Sequence, residues 1–488
     1  MALDPRTATS KLWRLFCRGV VRVFYRRVEV LRGGRLPARG PVILCANHLN
    51  ALADPIILQS VAPYPLHPLA RSGLFRNPLM WPLLWLARAI PVSRRPAGAD
   101  ADPTRNDAAF RRAAEVLGSG GAILIFPEGE SHSDPRLKPL KTGAARIAMA
   151  ALRDRAVETP LVPVSLIFTR RGRFRSSVLV QVGESIHVRR PRDAADPASA
   201  GRDSEMRESG VHEPEIHEPE IREAEIREAE IRALTAAVEA GLRAITFNVD
   251  SWADLDFLNR LDRFYRLRRG RRPQQRRLSR RFRALQRMVA VHRGLRERAP
   301  HRIEAVRRRL RRFEALCELL GARGYDLEVE RRPGRFAIHL LAILLPALLA
   351  LPVTAAGLVT SGPPFFLTRW LGPRLARRAD QYDTSKILLG LALFALWWGA
   401  QVAWVWRLAG WPWALGWLAA LGPMAAVAWG FARSRRRIAE ELRAFVVLRS
   451  RRDAREYLQA RREELEVAIA ELARLAKRLP EGELDLVS

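Results

Sequence analysis

Lysine is scarce in this chain. Only Lys11, Lys138, Lys141, Lys386 and Lys477 occur in 488 residues; every other cationic side chain apart from histidine is arginine, and the formal net charge is +32. A surplus of that sign favours anionic partners. The abundance of alanine, glycine, proline and arginine reads as the drift of a GC-rich coding sequence, so part of the charge is compositional and no nucleic-acid partner is expected. Cysteine is scarce too. Cys17, Cys45 and Cys317 are scattered, odd in number and form no CxxC pair, which argues against a disulfide framework and a structural zinc site. The first 30 residues have no long apolar run and no small-residue cleavage site, so they do not read as a signal peptide. Residues 1–35 read instead as a basic amphipathic helix with Leu12, Leu15, Phe16, Val20, Val23 and Phe24 as its apolar positions. Such a helix either lies on a membrane surface or packs on the core.

Residues 36–190 alternate short apolar runs with helical stretches. Pro41–Ala46, Ala122–Phe126, Leu161–Phe168 and Val178–Val182 read as buried strands, and Thr104–Leu117 and Gly143–Ala156 as helices. The expected fold is an α/β domain, a mixed sheet covered by helices. Residues 191–233 read as a low-complexity linker. It carries a five-residue repeat, from His212-Glu-Pro-Glu-Ile216 to Arg227-Glu-Ala-Glu-Ile231, whose period matches neither helix nor strand and whose glutamates repel one another. Residues 234–335 are basic and helical, with arginine-rich runs at Arg266–Arg283 and Arg302–Arg312. They form either a solvated hairpin or a face for anionic membrane lipids.

A membrane region follows at 336–432. Phe336–Thr368, Ile387–Trp406 and Leu408–Ala432 contain no Asp, Glu, Lys or Arg, and about 20 apolar residues suffice to span a bilayer. Tryptophans crowd 397–417, as in interfacial belts. Arginines flank 336–368 and follow 432, whereas Arg407 stands alone between the second and third segments. The positive-inside rule then makes 387–406 and 408–432 a hairpin of spans. It makes 336–368, broken by Pro346, Pro352, Pro363 and Pro364, a re-entrant segment. Residues 433–488 would be cytoplasmic helices, forming a hairpin or a coiled-coil contact.

Two clusters carry chemistry. Asn47, His48 and Asp54 follow the first strand. Histidine is suited to take a proton near neutral pH, and a carboxylate on its other ring nitrogen fixes the tautomer and stabilises the imidazolium. No nucleophilic serine is needed if a substrate hydroxyl is the nucleophile. Phe126-Pro-Glu128-Gly129-Glu-Ser131 follows another strand, with Lys141 beyond it. A turn at a strand end presents backbone N–H groups and Glu128 to a polar substrate. Lys141, a lysine where the drift favours arginine, is a candidate phosphate contact; a solvated surface lysine is the alternative.

Together these clusters resemble the glycerolipid acyltransferases of the lysophosphatidate and glycerol-3-phosphate type. Asn47-His48 to Asp54, Ile90-Pro-Val92-Ser-Arg94, Phe126-Pro-Glu128-Gly129 and Val162-Pro-Val164 look like that family's four blocks, in order. The family usually has four residues between His and Asp, where this chain has five, Leu49 to Ala53. A subgroup of long glycerol-3-phosphate and dihydroxyacetone-phosphate acyltransferases with C-terminal membrane segments is similar in this spacing. It is also similar at Gly129–His132, Pro139–Gly143 and Ala379–Asp383.

The resemblance implies catalysis by His48 and Asp54. It implies acceptor binding by Asn47, Arg94, Glu128, Gly129 and Lys141, with Arg94 on the acceptor phosphate and Val162–Val164 near the acyl chain. The expected enzyme is an integral membrane protein with its catalytic domain on the cytoplasmic face. It moves a fatty acyl group from acyl-CoA or acyl-carrier protein to glycerol-3-phosphate or dihydroxyacetone phosphate, without metal or cofactor. Acylation of a 1-acylglycerol-3-phosphate is the alternative. A non-catalytic membrane lipid-binding scaffold is the alternative of another class.

Overall fold

The computed structural model describes residues 5–32, 35–78, 80–93, 106–169, 174–188, 218–247, 249–268, 278–319, 341, 344–346, 348–376, 378, 381–450 and 452–478. The chain forms two compact units, residues 1–248 and 249–488.

In the first unit the elements run α1 (Pro5–Phe24), β1 (Tyr25–Leu31), β2 (Val42–Ala46), α2 (Ala53–Val61), β3 (Leu66–Arg71), α3 (Trp81–Leu86), β4 (Ile90–Val92), α4 (Asp107–Gly118), β5 (Ala122–Ile125), α5 (Gly143–Arg155), β6 (Leu161–Phe168), β7 (Ser176–Val182) and α6 (Glu218–Ile245). The seven strands make one sheet in the order β1-β7-β6-β2-β5-β3-β4. Every neighbouring pair is parallel except β6 with β7. β2 and β5 are buried along their whole length, which is why they read as continuous apolar runs rather than as alternation. Ile43, Cys45, Ile123 and Ile125 share one face. There they pack against a stripe from α4 (Ala113, Ala114, Leu117), one from α5 (Ile147, Ala148, Ala151) and one from α6 (Val238, Leu242, Ile245). The three- and four-residue spacings are those of a helix face turned to a core.

Three expectations change here. The N-terminal element is not helix to residue 35: Tyr25–Leu31 is an edge strand paired with β7, because Val28 and Val30 alternate with Arg27 and Glu29 on a half-exposed surface. The face that α1 turns inward is Trp13, Cys17, Val20 and Val21, while Leu12, Leu15 and Val23 stay exposed. Arg14 ties the helix to the end of α2 through a 2.7 Å bond to the Ala62 carbonyl. The expected linker also ends early. The repeats from Glu218 onward are helical in α6, where Ile231 starts the buried stripe and Glu228 pairs with Arg146 of α5 at 2.5 Å. Residues 191–217 lie outside the described residues.

The second unit is helical: α7 (Trp252–Arg268), α8 (Leu278–Arg298), α9 (Pro300–Leu319), α10 (Leu351–Leu375), α11 (Tyr382–Ala409), α12 (Trp411–Ser450) and α13 (Arg452–Ala476). α7, α8 and α9 bury Phe257, Phe264, Phe282, Leu285, Val306, Leu310 and Phe313. Part of their arginine is neutralised internally. Arg281 pairs with Asp262, Arg260 with Glu314, and Arg296 and Arg307 with the buried Asp254.

α11 and the stretch Trp411–Ala432 of α12 are long and apolar enough to cross a membrane. They present Leu396, Trp404, Trp406, Trp411, Trp413 and Leu415 outward. α10 packs against both. Its Thr360 carbonyl accepts the indole N–H of Trp397 and the amide of Gln401, at 2.8 and 3.0 Å. Gly357 lies where an added Cβ would collide with the backbone of Met424 on α12, so only glycine admits this approach of α10 to α12. The break expected at Pro363 and Pro364 is not there: α10 runs through both as one helix, with Pro352 in its first turn. The rest of the re-entrant reading falls on residues before α10, several of which lie outside the described residues. α12 continues as one helix past 432 to Ser450.

Candidate active site

In the parallel part of the sheet, β2, β5 and β4 point their carboxyl ends the same way. That end is where open α/β sheets take their ligands. β2 ends at Ala46, and Asn47 immediately clamps the chain to β6. Its side-chain amide donates to the Leu166 carbonyl at 3.2 Å and accepts the Leu166 N–H at 2.7 Å. Asn47 is thus buried and turned into the sheet. His48 comes next, its ring stacked on Phe126 at 4.0 Å between centroids.

Asp54 is the second residue of α2 and has no exposed surface. Its Oδ2 lies 3.0 Å from His48 Nδ1 and accepts the backbone N–H groups of Leu49 and Asn50, each at 2.7 Å. The five-residue spacing therefore closes as a turn whose own amides bind the carboxylate. Burial pushes the Asp54 carboxyl up from its ordinary range, and the bonds from His48, Asn50 and Leu49 pull it back. With Nδ1–H donated to Asp54, the lone pair of His48 is on Nε2 and available to take a proton.

β5 ends at Ile125, and Phe126–Gly129 turns beside His48. Gly129 sits at φ +75°, a conformation natural to glycine. An added Cβ there would fall 2.8 Å from Lys141 Nζ, so the ammonium of Lys141 lies against this turn. The Lys141 N–H is held by the Pro127 carbonyl at 2.8 Å. Glu128 points inward: its side chain has no exposed surface. Its Oε1 accepts the His48 N–H at 2.8 Å, and its Oε2 accepts the Lys138 N–H at 3.0 Å and meets His132 Nε2.

The structure thus brings His48, Asp54, Glu128, Gly129 and Lys141 to one end of the sheet, with Asn47 bracing the first turn from behind. Val162–Val164 lies on β6, in register with Leu44, Cys45 and Ala46 of β2. Arg94 follows β4 in sequence and lies outside the described residues. His132 closes the Gly129–His132 stretch that resembles the long subgroup, but the sequence assigns it no role. A histidine among Glu130, Ser131 and Asp134 carries no sign of burial, and only its third position after the Phe-Pro-Glu-Gly run distinguishes it.

Residues 27–167 match the family model described as Acyltransferase. The chain is 36% identical over 89 residues to glycerol-3-phosphate O-acyltransferase 2 of Saccharomyces cerevisiae, covering 18% of this chain and 12% of that one. It is 27% identical over 162 residues to the 1-acyl-sn-glycerol-3-phosphate acyltransferase of Borreliella burgdorferi, covering 33% of this chain and 59% of that one. The chain therefore spans less than two thirds of either relative. The crystal structure of a 1-acyl-sn-glycerophosphate acyltransferase from Thermotoga maritima aligns at a TM-score of 0.31 and 20% identity, over 49% of this chain and 83% of that one. With the His48–Asp54 pair and the Phe126–Gly129 turn at one end of the sheet, the matching segment of the first unit is an acyltransferase domain of the glycerolipid acyltransferase family.

Proposed function

We propose that this protein transfers a fatty acyl group from acyl-CoA or acyl-carrier protein to a hydroxyl of glycerol-3-phosphate or dihydroxyacetone phosphate, in phospholipid synthesis. The observation that carries the reading is the 3.0 Å contact of His48 Nδ1 with the buried Asp54, which leaves Nε2 free to act as base. His48 takes the proton of the acceptor hydroxyl while its oxygen attacks the thioester carbonyl. The tetrahedral oxyanion, stabilised by backbone N–H groups of the strand-end turns, collapses and breaks the C–S bond. The leaving thiolate takes the proton back from the His48 imidazolium. Lys141 and Arg94 hold the acceptor phosphate. No metal or cofactor enters these steps.

Glycerol-3-phosphate as acceptor is supported by the resemblance at Gly129–His132 and Pro139–Gly143 and by the yeast relative. Acylation of a 1-acylglycerol-3-phosphate is the second reading, favoured by the longer 162-residue match to the Borreliella enzyme. α11 and the first part of α12 would anchor the protein in the membrane, with 336–368 re-entrant and the catalytic unit on the cytoplasmic face. A reporter fused near residue 378 that reads out on the opposite side would overturn this topology.

The test is acyl transfer by purified protein in detergent, wild type against His48→Ala. Labelled acyl-CoA is supplied with glycerol-3-phosphate or with lysophosphatidate, and acyl-carrier protein is then tried as donor. Activity with one acceptor that disappears in the variant supports the chemistry and names the acceptor. A wild type inert with every donor and acceptor, together with unchanged function of His48→Ala in cells, favours the lipid-binding scaffold.

A further inference from the structure

We infer that His132 is a positioning residue for His48, acting through Glu128. The starting point is a carboxylate with nowhere to go. Glu128 is fully enclosed, so its oxygens need donors within the protein. Two are backbone N–H groups, of His48 at 2.8 Å and Lys138 at 3.0 Å. The side-chain donor is His132, which is itself buried.

Its tautomer follows from its other nitrogen. His132 Nδ1 lies 3.2 Å from the Asp134 N–H, which can only donate, so Nδ1 accepts and the ring proton is on Nε2. Nε2–H then donates to Glu128 Oε2. The main chain closes a ring. The His132 N–H donates to the His48 carbonyl at 3.1 Å. The peptide groups on either side of the His48 Cα are therefore both gripped by the second turn, the N–H through Glu128 and the C=O through His132. Asp54 separately sets the imidazole. The far side of the loop is tied by Lys138, whose ammonium meets Glu130 at 3.0 Å and Asp134 at 3.5 Å.

Two consequences separate this from a contact with substrate. The Glu128 carboxylate is spent inside the wall between the two turns, so neither Glu128 nor His132 touches the acceptor. Losing the His132 donor leaves the Glu128 charge short of a partner and loosens the backbone under His48. A displacement near 1 Å costs on the order of 100-fold in rate without a change in binding.

The inference rests on the acyltransferase reading for its kinetic test, so a readout independent of turnover runs beside it. In the full chain in detergent, His132→Ala is expected to lower kcat about 10- to 100-fold with the acceptor KM within about twofold. His132→Gln, whose amide N–H reaches the same place, is expected to recover most of the loss. The second readout is carbethoxylation of His48 by diethyl pyrocarbonate, followed by peptide mass. Its rate should change in His132→Ala and return toward wild type in His132→Gln.

A rise in acceptor KM at constant kcat would make His132 an acceptor contact and overturn the inference, as would an unchanged kcat. Should His132→Ala not fold, His132→Gln against His132→Leu decides by the same two readouts. A wild type inert in every acyl-transfer assay would sink the function, and the His48 labelling rates would still decide the positioning.

Discussion

Asp54 Oδ2 accepts three hydrogen bonds from the one short turn it closes: His48 Nδ1 at 3.0 Å and the N–H groups of Leu49 and Asn50 at 2.7 Å. One oxygen therefore orients the base and holds the loop that carries it. Asp54→Asn keeps the shape and removes the charge that stabilises the imidazolium. It is expected to lower kcat by about 10²- to 10⁴-fold, as is His48→Ala, with little effect on the acceptor KM. Steady-state kinetics checks both. A tenfold rise in KM at unchanged kcat would instead make Asp54 part of the binding site.

Cys45 is fully buried on β2, three residues before His48, and Cys17 is fully buried on the inward face of α1. Burial pushes both thiols up to about 12 from an ordinary 9.0. Both are expected to resist iodoacetamide at pH 8 in the folded protein and to react on unfolding, as read by peptide mass. The sign for stability follows from the raised values. The folded state keeps its thiol protons where the unfolded chain loses them, so their stabilising contribution is intact below pH 9 and is lost as pH climbs toward 12. Rapid native-state alkylation of Cys45 would contradict the packing of β2.

Gly129→Ala would place a methyl group in a backbone held at φ +75° and against the Lys141 ammonium. The expected cost is about 1–2 kcal/mol of stability for the left-handed residue, seen as a lower unfolding temperature. The acceptor KM should rise because Lys141 is displaced. A substitution silent in both measurements would mean that Lys141 does not hold the acceptor.

Pro364 has no N–H to give, so the carbonyl four residues earlier, Thr360, is left without its helical partner. Trp397 and Gln401 of α11 both supply donors to it. Trp397→Phe and Gln401→Leu are each expected to be tolerated alone, because the other donor remains. The double variant is expected to lose about 1–3 kcal/mol, more than the two single effects together. Denaturant titration in micelles measures this, and strict additivity would show that the two donors do not share the carbonyl.

The buried strands were legible because they are apolar on both faces. The apolar run Leu161–Phe168 coincides with β6, and the runs Pro41–Ala46 and Ala122–Phe126 match β2 and β5 to within a residue. β1, β3 and β4 carry no such apolar run. β1 is an edge strand that mixes arginine with valine, β3 carries Pro68 in the middle of six residues, and β4 has only three. At the site, His48 and Asp54 were legible from their types and order. The inward aim of Glu128 was not, because a glutamate in a turn carries no sign of which way it points. His132 was hidden for the same reason, since its meaning depends on a carboxylate whose burial only the folded chain reveals.

α12 runs without interruption for 40 residues, about 60 Å of helix. The apolar stretch ends at Ala432, so the remainder is a stiff mast rooted in the apolar half. Its angular phase is locked to that root. One residue inserted between 433 and 450 would turn every later residue of α12 by about 100° around the helix axis. A flexible joint would absorb such a change; along α12 the direction each residue faces is set by its count from the apolar root.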